Sequence, residues 1–337
     1  MLDPLPGRCN LLCILDWGLG HAARSLALAE ALEAAGETTF LASCGRAQKF
    51  LEAERPNQQV YPLPAYDVTY PTRSMPLNVA LQLPGWVKTI WQEHQTTKAL
   101  VQELNIDRII SDNRFGCYDP SLPSIFLTHQ LHPITHNRLV SSVYRKYLQR
   151  FHTFWVPDFE EPQRRLSGQL SSAKGYQNVH FIGPLSRLTQ DRLSPANTSF
   201  SDLQTLSLLS GPEPMRTQLE GILLRQLGNI PGPHVLIRGL PGHTSPLPAK
   251  CPANVEVFDF ANTALLGQLI PAAQHIICRS GYSTLMDIFA ITEGKSLVLI
   301  PTPGQTEQVY LAQQLALQNG SRCVLEQDKL DLAALLS

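Results

Sequence analysis

What most constrains this chain is a short apolar run that does not alternate. Leu11 to Leu15 (LLCIL) contains no polar residue. A strand with one solvated face would alternate, so this run reads as a strand buried on both faces, as in parallel sheets covered by helices. Asp16 to Ala23 (DWGLGHAA) follows as a Gly-rich turn. Arg24 to Ala35 then reads as a helix, with Leu26, Leu28, Ala29, Leu32 and Ala35 on its apolar stripe and Gly36 placed to end it. Thr38 to Ser43 reads as the next strand, and a strand–helix–strand opening implies a right-handed crossover in a parallel sheet.

The same pattern recurs. Strands are expected at 108–112, 124–128, 153–157 and 179–182, with a basic helix over 137–151. Gly183-Pro184 then breaks the chain. A second series follows, with strands at 205–209, 235–238, 255–260, 276–278 and 297–301. Its helices run from 211–214 to about 227, and over 263–273, 283–291 and 307–319. The expected fold is α/β, two Rossmann-like domains facing a cleft, at 1–184 and 185–337. A length of 337 residues fits two domains of about 150 residues each.

Lys and Arg number 27 and Asp and Glu 28, a formal net charge of −1. That excludes a dedicated nucleic-acid binder, which carries a basic excess. No run has the 18 or so apolar residues of a membrane-spanning helix. Seven scattered cysteines without a C-x-x-C read as reduced thiols of a cytoplasmic protein.

Gly18-Leu19-Gly20-His21-Ala22-Ala23 fits G-x-G-x-x-G/A, which offers backbone N–H groups and a helix N-terminus to an anion. As a nicotinamide signature it is incomplete, because no ribose-binding acid follows about 20 residues on; only Arg46 would serve a 2′-phosphate. His21 sits at the helix start, where imidazolium is disfavoured, so it reads as a neutral proton acceptor or as a residue that only hydrogen-bonds the turn. Asp112-Asn113-Arg114 leaves a strand of the same half. Asp112 there would orient His21, act as base itself, or cap the turn. His129 ends the next strand. The candidates on this half are His21 and Asp112 for catalysis, with Gly18, Gly20, Arg24, Asn113, Arg114 and His129 lining the same cleft. His129, His132 and His136 are spaced like metal ligands, but Pro133 breaks the helix that would gather them, so no metal site is expected.

Arg279 to Asp287 (RSGYSTLMD) follows a strand and opens a helix. Ser280 and Ser283 are placed to cap it, Gly281 lets a ligand approach the backbone, and Arg279 adds a cation. This reads as a phosphate or diphosphate site, or as an ordinary capped helix. Asp287, one turn in, is suited to a ribose diol. Ser210 to Arg216 (SGPEPMR) supplies Gly211 and Arg216. Pro301 to Gln308 (PTPGQTEQ) supplies Glu307 and Gln308, an acceptor and donor pair suited to sugar hydroxyls.

RSGYSTLMD followed by LVLIPTPGQTEQ resembles the nucleotide-sugar domain of GT-B glycosyltransferases of family 28, and GLGHAARSLALAEAL resembles the family's first half more weakly. The resemblance implies that the loop of Arg279, Ser280 and Gly281, running into Tyr282, Ser283 and Thr284, faces a donor diphosphate. Asp287 would hold the ribose and Glu307 and Gln308 the donor sugar. The segment 257–260, ending in Phe260, would read a uracil base through backbone groups. The implied reaction is an inverting, metal-independent transfer from a UDP-sugar to an acceptor hydroxyl, with no cofactor, and His21, alone or with Asp112, taking the proton. Gly20 to Arg24 (GHAAR) is also similar to the UDP-sugar hydrolase of pseudaminic acid synthesis, for which water is the acceptor. A GT-B protein that binds a nucleotide sugar without turnover is the third reading. Leu77 to Trp91, with Trp86 and Lys88, reads as a core helix or as a cover for a lipid-linked acceptor at a membrane surface. The basic residues Arg138, Arg145, Lys146 and Arg150 would favour the same peripheral contact.

Overall fold

The computed structural model describes residues 7–66, 75–134, 138–188, 200–240, 251–292 and 295–336. The chain divides into two compact units, Met1–Leu185 and Ser186–Ser337.

The first unit runs β1 (Cys9–Ile14), α1 (Leu19–Ala34), β2 (Thr38–Ser43), α2 (Gly45–Glu54), β3 (Val60–Pro62), α3 (Met75–Glu103), β4 (Arg108–Asp112), β5 (Ser124–Leu127), α4 (Arg138–Leu148), β6 (Thr153–Val156) and β7 (Val179–Phe181). Its sheet is parallel throughout, in the order β3-β2-β1-β4-β5-β6-β7. The direction of winding reverses between β1 and β4, where Ile14 pairs with Asp112 at the carboxyl ends of the two strands. The unalternating run behaves as its composition demands: Leu11, Leu12, Cys13 and Ile14 are all fully buried.

One expectation is corrected here. The Gly-rich segment is not a long turn. Gly18 alone makes the reversal, at φ 110°, a backbone conformation that side-chain-bearing residues avoid. The helix then starts at Leu19, five residues earlier than the apolar stripe indicates. Helix α3 is also longer than the apolar stretch that marked it. It turns Thr89, Ile90, Glu93 and Thr97 inward and leaves Val87 and Trp91 exposed. In and beside α4, Arg145, Lys146 and Arg150 are exposed, and Arg150 lies over the rings of Tyr118 and Tyr147. No described helix is long and apolar enough to cross a membrane.

The second unit runs β8 (Thr205–Leu208), α5 (Met215–Leu227), β9 (His234–Ile237), β10 (Val255–Phe258), α6 (Thr263–Ala272), β11 (His275–Cys278), α7 (Tyr282–Ile291), β12 (Ser296–Leu299), α8 (Thr306–Asn319), β13 (Arg322–Cys323) and α9 (Leu332–Leu336). The order is β10-β9-β8-β11-β12-β13, again all parallel, with the reversal between β8 and β11. Leu219, Leu223 and Leu227, one turn apart along α5, pack with Leu236, Ile277 and Val298 of the sheet.

Two buried features brace the first unit. At the amino ends of its strands, Arg108 donates to Asn10 (2.7 Å) and to Glu37, and Asn10 donates to Glu37 (2.7 Å), tying β1 and β4 to the start of β2. At the carboxyl end, Gly116 lies flat against α3, where a Cβ would overlap the Ile90 carbonyl and the Glu93 side chain. Of the cysteines, Cys13, Cys44, Cys117 and Cys278 are buried, Cys9 and Cys323 are half-buried, and Cys251 is exposed. Gly116→Ala is expected to destabilise the first unit by about 1–3 kcal/mol through overpacking, read as a lower urea midpoint for that unit with the second unit's transition unmoved.

Candidate functional site

In the first unit the site forms at the reversal point. Because α1 starts at Leu19, His21, Arg24 and Ser25 fall at i, i+3 and i+4 on one helical face. That face meets Asp112 at the end of β4. The His21 Nδ1 is 2.9 Å from Asp112 Oδ1 across 91 residues of sequence. Arg24 donates through Nε to Asp112 Oδ2 (3.0 Å) and through Nη2 to Oδ1, and the Ser25 hydroxyl donates to Oδ2 (2.9 Å). Arg24 Nη1 is 3.0 Å from His129 Nδ1. Asp112 and Arg24 are buried, whereas the His21 side chain keeps 17% of its surface exposed.

The electrostatics follow from this packing. Burial is the largest influence on the Asp112 carboxyl and would raise its pKa, but the Arg24 and His21 charges outweigh it and hold the carboxyl well below the usual range. Burial pushes the His21 pKa down, Asp112 pulls it up and Arg24 pushes it down; the ring ends below the ordinary histidine value. Gly18 caps α1 without a side-chain hydrogen bond, and Gly20 lies in the first turn. Asn113 takes the left-handed turn after β4 at φ 57°.

Arg114 is not on the acceptor side. It is fully buried and donates to the Ile14 carbonyl (2.8 Å), the Pro64 carbonyl (2.9 Å), Glu93 (2.8 Å) and the Cys44 sulfur (2.8 Å). Glu93, which sequence reasoning missed, also accepts from the Tyr66 hydroxyl (2.7 Å) and the Gly116 N–H (2.9 Å). His132 packs edge-on against Tyr176, and His136 lies outside the described residues. Among the described residues no group of three or more His, Cys, Asp or Glu side chains is placed to hold a metal ion.

In the second unit, the loops after β8, β11 and β12 meet at the carboxyl ends of the strands around the reversal point. Gly211 lies against Thr302, so a Cβ there would sit 3.3 Å from its hydroxyl, and Gly281 faces Gln308. The expected caps are absent: Gly281 is the N-cap of α7, no side chain caps it, and Ser280 instead donates to the Gln308 carbonyl (2.7 Å). Tyr282 is buried, while Ser283 and Thr284 are half-exposed in the first turn of the helix. Gln308 is held on both sides, accepting from Thr302 N–H (2.8 Å) and donating to Gln305 (2.6 Å), with Glu307 half-exposed beside it. Asp287 is half-buried and accepts from the Ser186 hydroxyl (2.6 Å). Burial raises its carboxyl pKa, and Arg187 and Ser186 pull against that.

The two cations expected to face a diphosphate do not. Arg279 is fully buried, and burial brings its pKa down to about 10. It donates to the carbonyls of Ile300 (3.2 Å), Pro301 (3.1 Å) and Met215 (3.0 Å) and to the Gln327 amide oxygen (2.8 Å). Arg216 is consumed by Glu213 (2.5 Å) and Glu220 (2.5 Å). Glu220 also accepts from Arg238, which in turn donates to Asp259 (2.5 Å). This chain of pairs ends beside Phe260, half-exposed in the loop after β10. Arg279 is thus a strut joining three loops. Arg279→Met is expected to leave several of those acceptors unpaired at about 1–3 kcal/mol, read as a lower Tm without any ligand. A surface cation replaced in the same way would leave Tm unchanged.

The comparisons with known proteins agree with this architecture. Residues 240–337 match the glycosyltransferase family 28 C-terminal domain. No curated protein sequence matches the chain. Among solved structures, the calicheamicin glycosyltransferase CalG4 is similar at TM-score 0.66 and 15% identity, over 98% of this chain and 89% of that one. Acinetobacter baumannii MurG is similar at 0.56 and 13%, over 98% and 89%. The Arabidopsis thaliana UGT in complex with UDP-L-rhamnose is similar at 0.61 and 14%, over 98% and 90%. The chain has the fold of the GT-B glycosyltransferases, and its residues 240–337 match the family 28 C-terminal domain.

Proposed function

We propose that this chain transfers a sugar from a nucleoside diphosphate sugar, with UDP as the nucleotide, to an acceptor hydroxyl, inverting the anomeric centre. The observation that carries the reading is the His21–Asp112 pair at the reversal point of the first sheet, where open α/β sheets bind ligands. With Nδ1 of His21 protonated, Asp112 accepts from His21, twice from Arg24 and from Ser25, which occupies the four lone-pair positions of a carboxylate. It has none left for a substrate, so His21 is the group that receives the acceptor proton. Nδ1–H bonded to Asp112 leaves Nε2 as the basic atom.

The second unit is the donor side. The uncapped start of α7 offers first-turn N–H groups and the positive end of the helix dipole to a diphosphate. Developing negative charge on the departing nucleotide is stabilised there without a contacting arginine. Asp287 is placed to accept from a ribose hydroxyl, Glu307 and Gln308 from the donor sugar, and the loop at Phe260 to take the base. UDP-L-rhamnose in the Arabidopsis thaliana structure supports this donor class.

A thermal-shift titration with UDP and a panel of UDP-sugars tests the donor side. UDP should raise Tm in the wild type and do so much less in Asp287→Ala; no response to any nucleotide would sink the reading. For the first unit, His21→Ala is expected to keep the UDP shift and to lose about a hundredfold to ten-thousandfold in turnover. Turnover in the wild type should fall as pH drops through a His21 midpoint below the ordinary histidine value. Free sugar and UDP formed with no acceptor present would make water the acceptor.

A further inference from the structure

The group that ties the first unit's site together is not the base but the arginine behind it. Arg24 is 1% exposed, among the largest fully buried side chains of the chain. Its guanidinium reaches both oxygens of Asp112, lies 3.0 Å from His21 Nδ1 and 3.0 Å from His129 Nδ1, and so touches every titratable group of the cluster. A guanidinium only donates, and a carboxylate only accepts. His21 Nδ1 therefore has two incompatible partners. Bearing a proton, it donates to Asp112 Oδ1; bare, it accepts from Arg24 Nη2.

The donor count at Asp112 decides between them. With Nδ1–H, the carboxylate has four donors for its four positions. With a bare Nδ1, a buried carboxylate loses one and the outward Nε2 carries the proton. The same count sets the charge. A carboxylate alone beside a histidine favours imidazolium, but here the Arg24 positive charge offsets that of Asp112 at hydrogen-bonding distance. His129 faces Arg24 from the end of β5, with its Nδ1 3.0 Å from Arg24 Nη1, where it accepts the Nη1–H.

We infer that Arg24 is a positioning residue which, by sharing Asp112 with His21, fixes the ring in its Nδ1–H tautomer and cancels the carboxylate's charge at the ring, so that Nε2 stays bare near neutral pH. The inference rests on the proposed role of His21 for its consequence in turnover, but its geometry does not depend on any activity. Among the described residues, the titratable groups facing His21 are Arg24 on its own helix, Asp112 at the end of β4 and His129 after β5.

The experiment is two-bond 1H–15N NMR on the full-length chain with 15N-labelled histidine, the His21 signals assigned by their loss in His21→Asn. In the wild type, the 15N shifts should show Nδ1 protonated and Nε2 bare. In Arg24→Met the His21 midpoint should rise by about one unit or more as the guanidinium's repulsion is removed, and Arg24→Lys should fall between. An Nε2–H tautomer in the wild type overturns the inference, even if Arg24→Met does not fold. So does an unmoved midpoint in an Arg24→Met protein whose circular dichroism and wild-type UDP shift show it folded. A moved midpoint in a protein that turns over no nucleotide sugar would keep this inference and sink the proposed function.

Discussion

Everything of functional interest in this chain follows from how its parallel strands are wound. In each sheet the chain starts in the middle, winds to one edge, then returns to the middle and winds to the other. At the seam, β1 beside β4 and β8 beside β11, the loops from adjacent strand ends leave toward opposite faces. The seam is therefore where backbone N–H groups and helix starts are left unspent by the sheet. In the first unit the seam brings His21 to Asp112; in the second it leaves the start of α7 without a side-chain cap.

Buried arginines hold these seams open. Among the described residues, Arg24, Arg114 and Arg279 are the three largest fully buried side chains, and each lies under loops at the carboxyl ends of strands. Each guanidinium gathers acceptors from segments far apart in sequence: Asp112 and His129 for Arg24, the Ile14 and Pro64 carbonyls and Glu93 for Arg114, and three backbone carbonyls and Gln327 for Arg279. A planar fork with five donors is suited to this, since it satisfies carbonyls that a loop would otherwise leave buried and unpaired. The groups that meet solvent at the sites are then histidine, hydroxyl, amide and backbone, with the cations one layer behind.

That layering explains what the sequence disclosed and what it hid. The unalternating apolar runs revealed the strands, since only two-sided burial makes such runs, and the polar residues that follow each run marked the loops. The pairing of His21 with Asp112 was legible because both follow strands of one half. Arg24 and Ser25 as partners of Asp112 were not, because the apolar stripe puts the helix start at Arg24, and only a helix beginning at Leu19 sets His21, Arg24 and Ser25 on one face. The direction of Arg114 and Arg279 was equally hidden. An arginine after a strand looks the same whether it points at a ligand or back into the fold, and only the arrangement of Ile300, Pro301 and Met215 around it decides. Glu93 was missed because an acid in an amphipathic helix ordinarily marks the solvated face.

The distribution of thiols makes the chain easy to label selectively. Burial pushes the Cys44 thiol up to about 11 and that of Cys278 up to about 12, and raises Cys117 and Cys323 as well, so few of these groups exist as thiolate at neutral pH. Cys251 alone is exposed. It stands just before β10, the strand whose far end leads into Asp259 and Phe260. A maleimide dye or spin label therefore goes first to Cys251 without mutagenesis, ahead of the half-buried Cys9 and Cys323, and there it reports on the second unit.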